Sequence, residues 1–139
     1  MSFAFRKNPK PSGNSPPPRP SKLLGSRGER AAARHLRQRH FRILTKNYRC
    51  PVGEIDLIAA DGDTLVFVEV KTRAQDEELN AAQLSARVQW PKIARAARYF
   101  LMQRSAHDRP CRFDLITVWW PSRGAPVIEH FADAHQPHG

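Results

Sequence analysis

At 139 residues the chain is long enough for one domain with a hydrophobic core that needs no disulfides. Its 23 Lys and Arg against 13 Asp and Glu give a formal net charge of +10, which argues for an anionic partner. The sequence lacks an apolar signal core near its start, any run near the ~20 apolar residues of a membrane span, and any Cys/His metal spacing around Cys50 and Cys111; a cytoplasmic protein with reduced thiols and no membrane partner is expected.

Residues 1–22 carry five positive charges (Arg6, Lys7, Lys10, Arg19, Lys22), no acid and six of the twelve prolines, which predicts a disordered basic arm. It is either a solvated leader or an arm that touches nucleic acid. Residues 23–133 then form one α/β domain, and 134–139 a flexible tail. The Ala, Leu and Arg content of Gly25 to Arg37 predicts a helix, with Ser26 as N-cap and Glu29 in its first turn, where a carboxylate suits the helix dipole. Ala32 and Leu36 mark its apolar stripe, and Arg30, Arg34 and Arg37 project from another side.

Phe41 to Leu44 and Asn47 to Arg49 read as a first strand entering a loop at Cys50–Gly53, and 54–60 with 64–72 as a hairpin. Arg73 to Asn80 breaks period and reads as a loop that orders when substrate binds. Pro91 suits the first turn of a second helix running to about Arg104. In it Ile93, Ala96, Ala97, Phe100 and Leu101 form a buried stripe, and Lys92, Arg95 and Arg98 a basic one. Arg112 to Trp120 alternates as a strand, with Trp119 and Trp120 on opposite faces, one in the core and one exposed, and Val127 to Phe131 adds one more. Helix, strand, hairpin, helix, strand, strand describes a mixed β-sheet flanked by helices, with the hairpin in its middle.

That hairpin is chemically odd. Strands rich in Ile, Leu, Val and Phe enter a core, yet these carry Glu54, Asp56, Glu69 and Lys71, and buried carboxylates need a cation or a hydrogen-bond network. Period two puts Asp56 with Glu54 and Ile58, and Glu69 with Lys71. With Asp61 and Gly62 as the loop, Glu54 faces Glu69 and Asp56 sits diagonal to it; with Gly62 and Asp63 as the loop, Asp56 stands directly across from Glu69. Either register brings the acids onto one face, where like charges cost up to about 1 kcal/mol, more when desolvated. A divalent cation offsets them, and carboxylates without Cys or His favour Mg²⁺ or Mn²⁺. Asp114 reads as a structural partner for an arginine, and Glu54 either as a group supporting the metal ligands or as a strand-start carboxylate paired with Arg49 or Arg73. The spacing of the histidines matches no ligand set.

Gly28-Glu29-x-x-Ala32, Asn47-Tyr48-Arg49, Gly53-Glu54-Ile55-Asp56-Leu57-Ile58, Phe67-Val68-Glu69-Val70-Lys71-Thr72-Arg73 and Arg112-Phe113-Asp114 resemble the bacterial YraN-like family. That family is functionally uncharacterised and is similar to Holliday-junction resolvases and other restriction-endonuclease-like, PD-(D/E)XK nucleases. The resemblance covers residues 24–133 and implies a restriction-endonuclease-like sheet. It makes Glu29 the helix-borne acid, Asp56 a metal ligand, and Glu69 with Lys71 the (D/E)XK pair. One departure is Gln89-Trp90, where similar sequences tend to carry Lys-Gln; Lys92 lies nearly one turn later.

The chemistry implied is metal-dependent phosphodiester hydrolysis. Asp56, Glu69 and the Val70 carbonyl would hold Mg²⁺ or Mn²⁺, Glu29 would complete the shell or position water, and Lys71 would orient water and stabilise developing charge. Arg30, Arg34, Arg49, Arg73, Lys92, Arg95 and Arg98 are the candidate nucleic-acid contacts. Analogy with resolvases implies branched DNA as substrate and a homodimer as the assembly. A non-catalytic nucleic-acid-binding module, or a scaffold using Trp119-Trp120 as its contact surface, is the alternative.

Overall fold

The computed structural model describes residues 20–73 and 80–137. Its elements are α1 (Pro20–Gln38), β1 (Arg42–Cys50), β2 (Gly53–Asp61), β3 (Thr64–Arg73), α2 (Ala81–Ala86), α3 (Trp90–Gln103), β4 (Cys111–Trp119) and β5 (Val127–His135). The five strands form one sheet in the order β1-β2-β3-β4-β5, antiparallel throughout except for the parallel β3–β4 pair. A parallel pair needs a crossover, and α2 and α3 lie within it.

Each sheet face has its own core. Phe67, Phe100, Phe113, Trp90, Ile93 and Tyr48 pack on the α3 side, whereas Ala32, Ala33 and Leu36 of α1 cover Leu57, Val66, Val68, Ile116 and Val118 on the other. Because β3 is covered on both faces, Leu65 to Val68 read as a continuous apolar run. Small residues bring α1 close: a Cβ on Gly28 would lie 2.3 Å from the Thr72 Oγ1.

Several expectations need correction. The helix α1 begins at Pro20, inside the stretch assigned to the arm, because a proline in the first turn gives up an N–H that has no helical acceptor there. Ser26 is therefore not its N-cap and Glu29 is not in its first turn. The first strand is continuous through Cys50, absorbing a bulge after Ile43 and a left-handed Asn47 (φ 51°). Its turn to β2 is only Pro51-Val52, closed by the Cys50↔Gly53 pair. The β2–β3 turn is Gly62-Asp63, since Asp61 pairs with Thr64 and Gly62 takes φ 58°, a conformation glycine adopts without penalty.

At the ends of the loop expected over Arg73 to Asn80, Arg73 belongs to β3 and Asn80 caps α2; residues 74–79 lie outside those described. The short α2 was missed, although Asn80 and Gln83 form a reciprocal capping box. The strand β5 runs to His135, into the expected tail, because the His135 ring stacks on Trp90 at 5.3 Å. The residues of the arm before Pro20 also lie outside those described.

The expected partner of Asp114 is present. Fully buried, it accepts hydrogen bonds from Arg112 and the Asp133 N–H, with His130 Nε2 at 2.8 Å from its Oδ2. Burial alone would raise its pKa, but these partners hold the carboxyl below its usual value. Trp119 and Trp120 are both half-buried, neither core nor free surface, and each lies under a guanidinium at 4.8 Å, Arg73 over Trp119 and Arg27 over Trp120.

Candidate active site

The sheet forks in its middle. The β2–β3 ladder ends at Leu57↔Val68, while β2 stays paired with β1 as far as Gly53 and β3 stays paired with β4 as far as Arg73. One step past the last pair, the register sets Asp56 opposite Glu69, the arrangement required by the Gly62-Asp63 turn. Here Asp56 Oδ2 accepts the Val70 N–H at 2.8 Å, so a carboxylate stands where a strand carbonyl would otherwise bond. Face alternation also breaks: Ile55 packs with the α3-side core and Leu57 with the α1-side core, and between them Asp56 turns into the fork.

Two acids meet in this fork at hydrogen-bonding distance. Burial, then the charge of Asp56, pushes Glu69 up to about 8, with Lys71 pulling the other way. Burial also raises Asp56, against the lowering hydrogen bonds from the Val70 N–H and Glu69. Burial thus raises both carboxyls, and their mutual hydrogen bond favours a proton shared by the pair. Lys71 Nζ sits 3.4 Å from Glu69 Oε1.

Around the pair opens a cleft of about 580 Å³, walled by the β1–β2 turn on one side and by Arg87, Gln89 and Lys92 on the other. A Cβ on Gly53 would lie 3.3 Å from the Lys92 carbonyl oxygen, so glycine lets this turn seat against α3. Glu54 lines the cleft in an exposed ion pair with Arg49 at 3.5 Å, the second of its two expected roles. Glu29 approaches from α1. Its carboxyl is raised by burial and by Asp56, and a hydrogen bond with Asn47 opposes the rise.

Asp56, Glu69 and Lys71 thus come together, with Val70 anchoring Asp56 and Glu29 in electrostatic reach. Among the described residues no three His, Cys, Asp or Glu side chains form a ready cation cage. Of the expected nucleic-acid contacts, Arg49 and Lys92 line the cleft and Arg73 lines the next cavity. Arg95 and Arg98 are exposed on α3 outside the cleft lining, and Arg30 and Arg34 line a separate groove against Pro126 and Ile128. Sequence reasoning missed Arg87 and Asn47. Arg87 is a lone cation between two helices with no pattern around it, whereas Asn47 carried a signal, since asparagine tolerates the left-handed backbone conformation adopted across from Asp56.

A mixed five-stranded α/β sheet with helices on both faces, forked over paired acids beside a lysine, is consistent with a restriction-endonuclease-like fold. The chain belongs to UPF0102, the YraN-like family of uncharacterised bacterial proteins, whose model matches residues 28–118. A UPF0102 protein of Geotalea daltonii is 44% identical over 115 residues, covering 82% of this chain and 90% of that one. Others from Nitrosomonas eutropha (46% over 98 residues, 70% and 84% covered) and Beutenbergia cavernae (39% over 107 residues, 77% and 91%) are similar. No helix among the described residues is long and apolar enough to cross a membrane.

Proposed function

We propose that the protein is a divalent-cation-dependent nuclease that hydrolyses phosphodiester bonds in DNA, including branched DNA. The observation that carries this reading is the desolvated Asp56–Glu69 pair in the sheet fork, with Lys71 beside it. Two buried acids that must share a proton make a site where a hard cation can take the proton's place. The donor set fits Mg²⁺ or Mn²⁺: the carboxylates of Asp56 and Glu69 and the Val70 carbonyl would hold it, and Glu29, in electrostatic contact with Asp56, would complete the shell or position water. When bound, such an ion polarises the phosphoryl oxygens and acidifies coordinated water.

The chain's own groups supply the rest. Lys71, anchored by Glu69, is placed to orient the attacking water and to stabilise the negative charge that grows on the phosphoryl group. The Val70 N–H fixes the Asp56 carboxylate in one orientation. On the outer wall Arg87 and Lys92 offer cations to flanking phosphates, and Arg49, already bonded to Glu54, guards the opposite rim.

The test is to incubate the purified protein with linear, single-stranded and four-way-junction DNA in Mg²⁺ or Mn²⁺, alongside Asp56→Ala and Lys71→Ala. Cutting by wild type that disappears in both variants is expected. Cutting that survives both would assign the activity to something else, and salt-sensitive binding without cutting would favour a non-catalytic binding module.

A further inference from the structure

One strand beyond the cleft, on the same face of the sheet, lies a second cavity of about 550 Å³, floored by β3, β4 and β5 and edged by α2. The pairs Lys71↔Thr117 and Thr117↔Glu129, and Arg73↔Trp119 one row further, carry the face bearing Glu69 and Lys71 across into this cavity. Thr117 is thus a single strand spacing, roughly 4.8 Å, from Lys71.

Its lining is planar and polar at once. The Arg73 guanidinium lies 4.8 Å over the Trp119 ring, and the Phe131 ring completes the floor. The indole Nε1 of Trp119 is buried and has no acceptor among the described residues. Glu129 stands exposed on the rim, with no ion-pair partner among the described residues. An apolar ligand would leave the indole N–H unmatched and bury nothing against Glu129. A heteroaromatic ring offers flat faces to stack on arginine and aromatic planes, a carbonyl or ring nitrogen for the indole, and an exocyclic amine for the carboxylate.

We infer that this cavity receives one unstacked nucleobase of the strand whose phosphate occupies the cleft. The inference rests on the phosphodiester reading of that cleft and narrows its substrate class. A base inside a duplex must leave its stack to enter, whereas an unpaired base is already free, so the preferred substrates carry an unpaired nucleotide beside the cut, as flaps, gaps and junctions do.

The full chain, in chelator so that nothing is cut, is titrated against a fluorescently labelled single-stranded oligonucleotide and against the same sequence fully paired. Trp119→Ala is expected to weaken single-strand binding about tenfold and duplex binding less than about twofold. Should that variant melt early, Glu129→Gln, a rim substitution, is expected to change the ranking of oligo-dA, oligo-dC and oligo-dT while leaving the melting temperature unchanged. Equal effects of Trp119→Ala on single strand and duplex, with an unchanged ranking in Glu129→Gln, would overturn the inference. Separate cutting assays keep the two readings apart. Cutting without any preference for unpaired substrates sinks the base cavity alone, whereas single-strand selectivity without cutting sinks the nuclease reading alone. A protein that binds neither oligonucleotide refutes both.

Discussion

Glu69 and Asp56 make the site costly to fold when no cation is bound. The Glu69 carboxyl, ordinarily near 4.5, is pushed up to about 8 in the folded chain. Between these values the folded state holds a proton that the unfolded chain has lost, so stability is full below the lower value and falls as pH rises toward the upper one. The slope is at most about 1.4 kcal/mol per pH unit. In chelator the melting temperature should therefore drop from pH 5 to 8. The change Glu69→Gln, which keeps a donor for Asp56 without a titrating proton, should flatten that dependence. Added Mn²⁺ should restore the wild type at pH 8, and a wild-type melting temperature flat across this range would rule out the shared proton. Gly28 makes a separate steric demand. The change Gly28→Ala sets a methyl 2.3 Å from the Thr72 Oγ1 and should cost about 1–3 kcal/mol in chemical denaturation. Adding Thr72→Ala should recover part of that loss; no recovery would place the strain elsewhere.

At the level of elements, both long helices end alike. The Phe41 N–H returns to Leu36 O and the His40 N–H to Arg37 O; Ala106 and Ser105 repeat the pattern on Leu101 and Met102. The residue in the left-handed position is His40 (φ 67°) in one and Ser105 (φ 50°) in the other, where glycine is the usual choice. His40→Gly and Ser105→Gly should each raise stability by about 0.5–1 kcal/mol, measured as a shift in urea midpoint at constant slope. Loss of stability in either would mean that the side chain contributes more than its backbone strain costs. Such local geometry also decided what the sequence could tell. The strands β2 to β4 were legible because burial on both faces makes long apolar runs, and α3 because its stripe is regular and opens on Pro91. The fork between β2 and β3 was not, since it depends on one turn residue: Gly62, not Asp61, takes the positive φ, and that choice moves Asp56 from diagonal to opposite Glu69. The first strand showed in two pieces, Phe41–Leu44 and Asn47–Arg49, because a bulge and a left-handed Asn47 interrupt its alternation. The start of α1 was hidden because Pro20 continues a proline-rich composition.

Across the whole molecule, the charge of +10 is distributed over more than one surface, and the fold separates cations that the sequence had pooled. Arg87 and Lys92 look into the cleft, whereas Arg30 and Arg34 look into the groove between α1 and the Pro126–Ile128 segment. If nucleic acid follows the cleft, only the first group releases counterions on binding. Each phosphate neutralised contributes about 0.9 to the slope of log affinity against log salt for a duplex and about 0.7 for a single strand. Arg87→Ala and Lys92→Ala should therefore each lower that slope by somewhat under one and weaken binding evenly across sequences, because a phosphate contact carries no base information. Arg30→Ala and Arg34→Ala should leave the slope unchanged. Titrations at several salt concentrations distinguish the two paths: a slope that falls with the α1 variants and stays fixed with the cleft variants would route the strand over α1, away from Asp56 and Glu69.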